Sequence, residues 1–433
     1  MQRLRFFLSG AAYRRLLLCL GLALTFLSFS AAADTTIRVW HALESHNASI
    51  FSDMVKQFNR RTPDATVKLT GFDTTEALEA ALDMIKDEAD RPHLVQLEEA
   101  RVPDMTAQRS YLRPLHVLLA KHPIKDVSWF LPAANTAARD SQGNLQAFPM
   151  MLDIPVMFYN IQRMREGGIQ PARPSRDWMK LQADMAQVAN NGTRYCPITS
   201  DQPVSINLEN LAAVNNQSFV TQAGGATQFR FDSLYIRHLS LMVSWVRTEL
   251  MVKPDFNDVA ATRFADGECA VLLSNSSHLG WFAANRKLRL GMSGLPYYPE
   301  VTTEPGLPFV GGGALWTTSG HAEADDAATA AFLGWLASTE QARHWYESTG
   351  FLPLTKEAFS QARSGGKVFQ QWISLVEPYA NEPVATARGF KIKNYPQIRA
   401  IFEQSVSEAL AGKRPAVPAL KAASERASEL SAK

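Results

Sequence analysis

Between residues 37 and 97 the apolar positions follow two alternating periods. Ile37 and Val39 stand two apart around Arg38, the spacing of a half-buried strand. Phe51, Val55 and Phe58 then fall at i, i+4 and i+7, one face of a helix, with Asn47 as its expected N-cap and Pro63 as its stop. Ala65 to Leu69 reads as a second strand. Leu78, Leu82 and Ile85 mark the inner face of a second helix, with Glu79, Asp83 and Lys86 outside. His93 to Leu97 is a third strand, running into Glu98-Glu99. Strands alternating with helices predict an α/β fold with a mostly parallel sheet flanked by helices. Such sheets bind ligands beyond the carboxyl ends of their strands, which makes Glu99 a binding residue and leaves Glu98 as a solvated loop acid.

The pattern changes at Ala147–Asn160, an extended apolar run with a single acid, Asp153. A lone carboxylate there either faces water at a turn or lines a polar cleft. A helix with Trp178 near its start extends to Asn190, an amide-rich helical region begins at Asn207, and Leu234–Val252 is a strongly apolar helix. A tight turn at Gly267 leads into a buried strand that opens on Ser274-Asn275-Ser276-Ser277, a cluster able to cap a helix or face a ligand. Pro308–Trp316 carries Gly311-Gly312-Gly313 between apolar flanks, as a surface turn or as a hinge whose amides approach a ligand. Two helices follow over 327–346 and break at Thr349–Pro353. Ile398, Ile401, Phe402, Ser405 and Ala409 mark an amphipathic helix that stops at Gly412, and an Ala-rich helix runs to about Leu430.

Composition narrows the function. Arg3, Arg5, Arg14 and Arg15, an apolar run from Leu16 to Phe29, and Ala31-Ala32-Ala33 form a cleavable export signal over 1–33. Net charge falls from +2 to −2 once those four arginines are removed, which offers nothing to nucleic acid. About 400 residues exceed one core and predict two domains. Cys196 and Cys269 remain after cleavage, either as a disulfide or as two buried thiols. No H-E-x-x-H, G-x-S-x-G, P-loop, C-x-x-C or G-x-G-x-x-G occurs, so neither a metal nor a nucleotide cofactor is expected, and binding is favoured over catalysis. Glycosidase acids carry little local signature, so a secreted glycan hydrolase using Glu99 and Asp153 is the rival from another class.

Trp40-His41, Phe264-x-x-Gly267 before the Cys269 strand, Pro308–Trp316, Thr349–Pro353 and Asn394–Arg399 together resemble the extracellular solute-binding proteins of ABC importers. They resemble the group that includes maltose-binding protein, and within it the sn-glycerol-3-phosphate-binding branch. The resemblance covers Thr35 to Lys433 and implies a two-lobe periplasmic binding protein fold of type II. Lobe 1 would comprise 34–147 and 314–350, lobe 2 148–313 and 351–433, with three hinge crossings and ligand between the lobes. It implies a monomer that is not an enzyme and that delivers ligand to a membrane permease. Carried over residue by residue, Glu99 and Gly312 match the family's pocket. Thr74 or Thr75 stands for a tyrosine, Asp153 for a serine, Asn275 for a second serine, Phe351 for a tyrosine and Lys391 for an arginine. Trp178 and Ser276 are further ligand candidates. Lys391 would hold phosphate and partner Asp153, whereas two carboxylates facing the cleft would suit a neutral sugar or polyol or a cationic ligand. The implied cargo is sn-glycerol 3-phosphate or a glycerophosphodiester.

Overall fold

The computed structural model describes residues 35–432 apart from 193–194, 224–225, 255–258, 367, 385 and 387–388, so the export signal over 1–33 lies outside the described residues. Strands β1 (Thr35–His41), β2 (Ala65–Gly71) and β3 (Leu94–Glu98) pair in parallel, in the order β2-β1-β3. Helix α1 (Ser45–Arg61) packs on them through Phe51, Val55 and Phe58. All three are at most 5% exposed, and each buried side chain contributes roughly 1.5–3 kcal/mol. The N-cap of α1 is Glu44 rather than Asn47. Its extended backbone lets the carboxylate accept from the amides of His46 and Asn47 at 2.9 and 3.1 Å. Asn47 is freed to donate its side-chain amide to Ser277 O at 2.9 Å, a contact that reaches the other half of the molecule.

Strand β4 (Leu112–Arg113) lies at the edge of this first sheet, and β5 (Phe148–Asp153) is followed after one residue, Ile154, by β6 (Pro155–Asn160). β6 belongs to a second sheet with β7 (Ile198–Ser200), β10 (Val271–Asn275) and β11 (Leu290–Ser293), in the order β11-β6-β10-β7. Between them in sequence, β8 (Thr221–Ala223) and β9 (Ala226–Gln228) form a separate antiparallel pair. β10 runs antiparallel to β6 and parallel to β7. Apolar clusters cover both faces of each sheet, which explains why β6 and most of β10 are continuous apolar runs.

The chain returns to the first sheet in β12 (Gly311–Thr318), which pairs antiparallel with β3 on one edge and with β5 and then β4 on the other. The three glycines are therefore strand, not turn. β5 also belongs to the first sheet, so the change of sheet falls at Ile154, later than a lobe boundary at 147/148, and Gly311–Gly313 lie on the first sheet's side of the crossing. The third crossing, Thr349–Phe351, is bound to the first. Ser276 Oγ donates to Gly350 O at 2.7 Å, and Leu352 N donates to Leu152 O at 2.7 Å. Gly350 has φ +147°, and a Cβ there would sit 2.0 Å from Ser276 O, so only glycine fits.

Cys196 and Cys269 are joined, with an S–S distance of 2.08 Å, which resolves the alternative of two free thiols. The bond ties the approach to β7 to the approach to β10 across a sequence separation of 73, and loop closure of that length stabilises by about 4 kcal/mol. No helix among the described residues is long and apolar enough to cross a membrane.

Candidate functional site

A cavity of about 680 Å³ opens between the two sheets. The carboxyl ends of β3, β5 and β10 bring Glu98, Asp153 and Asn275 to it, and the start of β12 brings Gly311 and Gly312. Of the residues expected at the ligand, Glu99, Asp153, Asn275, Gly312 and Lys391 line this cavity. Thr74, Thr75, Trp178, Ser276 and Phe351 do not.

Each exclusion has a physical cause. Thr74 caps helix α2 (Thr75–Asp83), its hydroxyl accepting from Ala77 N at 3.1 Å. Thr75 donates to Glu98 Oε1 at 2.7 Å. Trp178 begins helix α3 (Trp178–Asn191) with its ring buried among His238, Trp245 and Tyr298, so it is core and not a stacking platform. Ser276 is fully buried at the crossing described above. Phe351 stacks on Trp345 with ring centroids 5.4 Å apart and anchors the first sheet's core.

The two adjacent glutamates both line the cavity but have different partners. The Glu99 carboxylate accepts from Thr136 Oγ1 at 2.6 Å, from Ala138 N at 3.2 Å and from Ala137 N. Burial pushes its carboxyl up from the usual range, against those three donors and the Lys391 charge. It clamps the 136–138 segment to the end of β3, which occupies most of its acceptor capacity. Glu98, expected to be a solvated loop acid, instead stands in the cavity wall.

Asp153 is only 4% exposed and faces the cavity. Burial pushes its carboxyl up to about 6, helped by the Glu98 charge and opposed by a hydrogen bond from Ser277 and by His278. Lys391, the expected partner of Asp153, acts on Glu99 instead and donates to Arg139 O at 3.4 Å. Gly312 must be glycine for a backbone reason. Its φ is +78°, and a Cβ would lie 2.4 Å from Met151 O.

Sequence reasoning missed a further corner of the cavity. Glu209 ends a short π-helical turn, Ser205–Glu209, and Arg399 lies on helix α4 (Tyr395–Leu410). Arg399 Nε is 3.3 Å from Glu209 Oε1, and Tyr395 donates to the same oxygen at 2.5 Å. Burial, then the Glu209 charge, pushes the Tyr395 phenol well up and keeps it protonated as a donor. Arg399 lies inside the Asn394–Arg399 segment, but nothing in its neighbours marks it as cavity-facing. Across the cleft, Asn394 N donates to Asp104 Oδ1 at 2.8 Å, so the two halves touch beside this corner.

The charged residues in the wall are Glu98, Glu99, Asp140, Asp153, Glu209 and Glu382 against Arg139, Lys391 and Arg399. The cavity is thus net acidic, with Lys391 and Arg139 together in one region and Glu98 and Asp153 in another. Its aromatic side chains are Phe309 and Phe390, set edge to face at 5.5 Å.

Among the described residues, His93, His321 and Asp325 are the one group with metal-ligand spacing, and they are not part of the cavity wall. His93 Nδ1 accepts from Arg38 N at 3.0 Å, so the neutral ring carries its proton on Nε2, the atom aimed at Asp325. Metal-binding histidines use the opposite arrangement, donating from the second nitrogen to an acceptor. The stacked pair His93 and His321, with rings 3.9 Å apart, is therefore packing.

A family profile described as bacterial extracellular solute-binding protein matches residues 53–372. The chain is 27% identical over 430 residues to the sn-glycerol-3-phosphate-binding periplasmic protein UgpB of Escherichia coli K12, covering 95% of each chain. Its fold matches maltose-bound MalE3 of T. maritima with a TM-score of 0.76 at 15% identity, over 92% of this chain and 100% of the other. It also matches UgpB of Mycobacterium tuberculosis in complex with glycerophosphocholine with a TM-score of 0.68 at 16% identity, over 91% and 97%.

Proposed function

Because the chain belongs to the bacterial extracellular solute-binding proteins, we propose that it is the periplasmic receptor of an ABC importer for a glycerophosphodiester. It would be exported through a cleaved signal, act as a monomer, and hand ligand to a membrane permease. Glycerol and phosphate would sit between the sheets, with Lys391 and Arg139 near the phosphate and Asn275 at the hydroxyls.

The observation that carries the choice is the buried Asp153 beside Gly312, in the same wall as Glu98. Two unit charges about 6 Å apart repel by roughly 3 kcal/mol at an effective dielectric constant of 20, and a phosphate monoester brings two of them. A diester carries one negative charge, and its second substituent also occupies more of the cavity. The similarity to sn-glycerol-3-phosphate-binding relatives supports the glycerophosphate half of the reading.

A neutral sugar or polyol is the second reading. Asp153, Glu98 and Asn275 would accept vicinal hydroxyls, Phe309 and Phe390 would offer an apolar wall, and maltose-bound MalE3 shares the fold. A thermal-shift panel on the mature chain separates the two readings, with glycerophosphodiesters, sn-glycerol 3-phosphate, glycerol, mono- and disaccharides. Ligand at one hundred times its dissociation constant stabilises by about 2.7 kcal/mol. A response to sugars with none to either phosphorylated class overturns the glycerophosphodiester reading.

A further inference from the structure

Gly311 and Gly312 stand in the cavity wall beside Asp153 and add no side chain to it. Gly313 is paired with Glu98 on β3, and Gly311 with Asp153 on β5. Residues directly opposed in an antiparallel ladder share a face, so Glu98 goes with Gly313 and Asp153 with Gly311, while Gly312 between the glycines breaks the alternation with φ +78°. The two acids stand on strands separated by a single strand, roughly 10 Å apart at the backbone. They are close enough for the Glu98 charge to act on Asp153.

Glu98 is also held from behind. Thr75 Oγ1 donates to its Oε1 at 2.7 Å, and Arg101 Nε lies 3.5 Å from its Oε2. That guanidinium is shared, because Nη1 bonds Glu79 at 2.9 Å and Nη2 bonds Glu76. One cation among three carboxylates fixes the Glu98 side chain without neutralising its neighbourhood. Arg399, a cation of the cavity wall that feels the Glu98 charge, is already paired with Glu209.

We propose that Glu98 and Asp153 form a two-carboxylate end of the cleft that selects ligands by the charge of the group entering between them. It accepts a quaternary ammonium group and turns away a terminal phosphate. Thr75 and Arg101 act through Glu98 as positioning residues. This rests on the glycerophosphodiester reading for the remainder of the ligand, whereas the acidic end is argued from the residues of the cavity wall.

Calorimetric titration of the mature chain tests it with glycerophosphocholine, glycerophosphoglycerol and sn-glycerol 3-phosphate. The cationic diester is expected to bind at least about tenfold more tightly than the neutral-ended one, the scale of one close charge interaction, and the monoester most weakly. Glu98→Gln brings the ratio of the two diesters close to one. Thr75→Val or Arg101→Met lowers it about threefold by releasing the carboxylate, whereas Thr75→Ser retains it, which a purely structural role would not produce. Equal wild-type affinities for the two diesters, or a ratio untouched by Glu98→Gln, overturn this inference and leave the diester reading standing. If no diester binds, the diester reading falls, and choline alone decides the acidic end: a choline signal lost in Glu98→Gln keeps it, and no choline signal removes it.

Discussion

Two buried acids line the same cavity in opposite circumstances. Glu209 has Arg399 at 3.3 Å and the Tyr395 hydroxyl at 2.5 Å, so its charge is answered by the protein itself. Asp153 has a hydrogen bond from Ser277 and the influence of His278 but no arginine or lysine offsetting its burial, and its carboxyl is pushed up to about 6. A buried charge completed by its own fold is scaffold, because it gains nothing further from a ligand. A buried charge left costly is stabilised when ligand arrives, and such groups gather at functional sites. The comparison thus separates a corner whose charges the fold answers itself from one whose buried carboxyl it leaves costly.

The largest way to break this contrast is Arg399→Met, which leaves Glu209 buried without its cation. A loss of about 3–5 kcal/mol in urea unfolding is expected, with most of it recovered in the Glu209→Met, Arg399→Met double variant. A double variant no more stable than the single one would mean that Glu209 was not the stranded charge.

Asp153→Asn should act in the opposite direction, stabilising the ligand-free chain at pH 7.5 by up to about 3 kcal/mol. The sign follows from proton binding. With a folded value of about 6 against an unfolded value of 3.8, the folded state holds more protons between these limits. Wild-type stability from this group therefore increases as pH falls through 6 and is fully restored near pH 4, so the advantage of the variant should fade over that window. A difference in stability that stays flat between pH 8 and pH 4 would remove the burial cost assigned to Asp153. Comparing variant with wild type at each pH also cancels the separate effect of His238, whose imidazole burial holds down to about 3.

The smallest expected effect is Tyr395→Phe, which removes one hydrogen bond to a charged acceptor. It should cost about 1.5 kcal/mol in urea unfolding at pH 7.5. A cost near zero would show that the phenol packs against Glu209 without supporting its charge.

Local periodicity made the architecture legible. Phe51, Val55 and Phe58 marked the face of α1, and the alternation of strands and helices over 37–97 marked the parallel part of the first sheet. Cavity residues were legible where a strand ended on a polar side chain, as at Asp153 and Asn275. What was not legible depended on pairing across the chain. Glu98 and Glu99 are neighbours with the same chemistry, and the difference between them is set by Thr136–Ala138 and by Thr75 and Arg101, all distant in sequence or in space. Trp178 reads as a ligand candidate because its three aromatic neighbours, His238, Trp245 and Tyr298, come from residues far along the chain. Glycines 311–313 read as a hinge loop because strand pairing with β3 and β5 leaves no trace in their own composition.

The single residue Ile154 between β5 and β6 gives Asp153 a mechanical meaning as well as a chemical one. Asp153 ends a strand of one sheet, Pro155 begins a strand of the other, and both touch the cavity. A contact with this wall therefore falls on the one-residue step at which the backbone passes from the first sheet to the second.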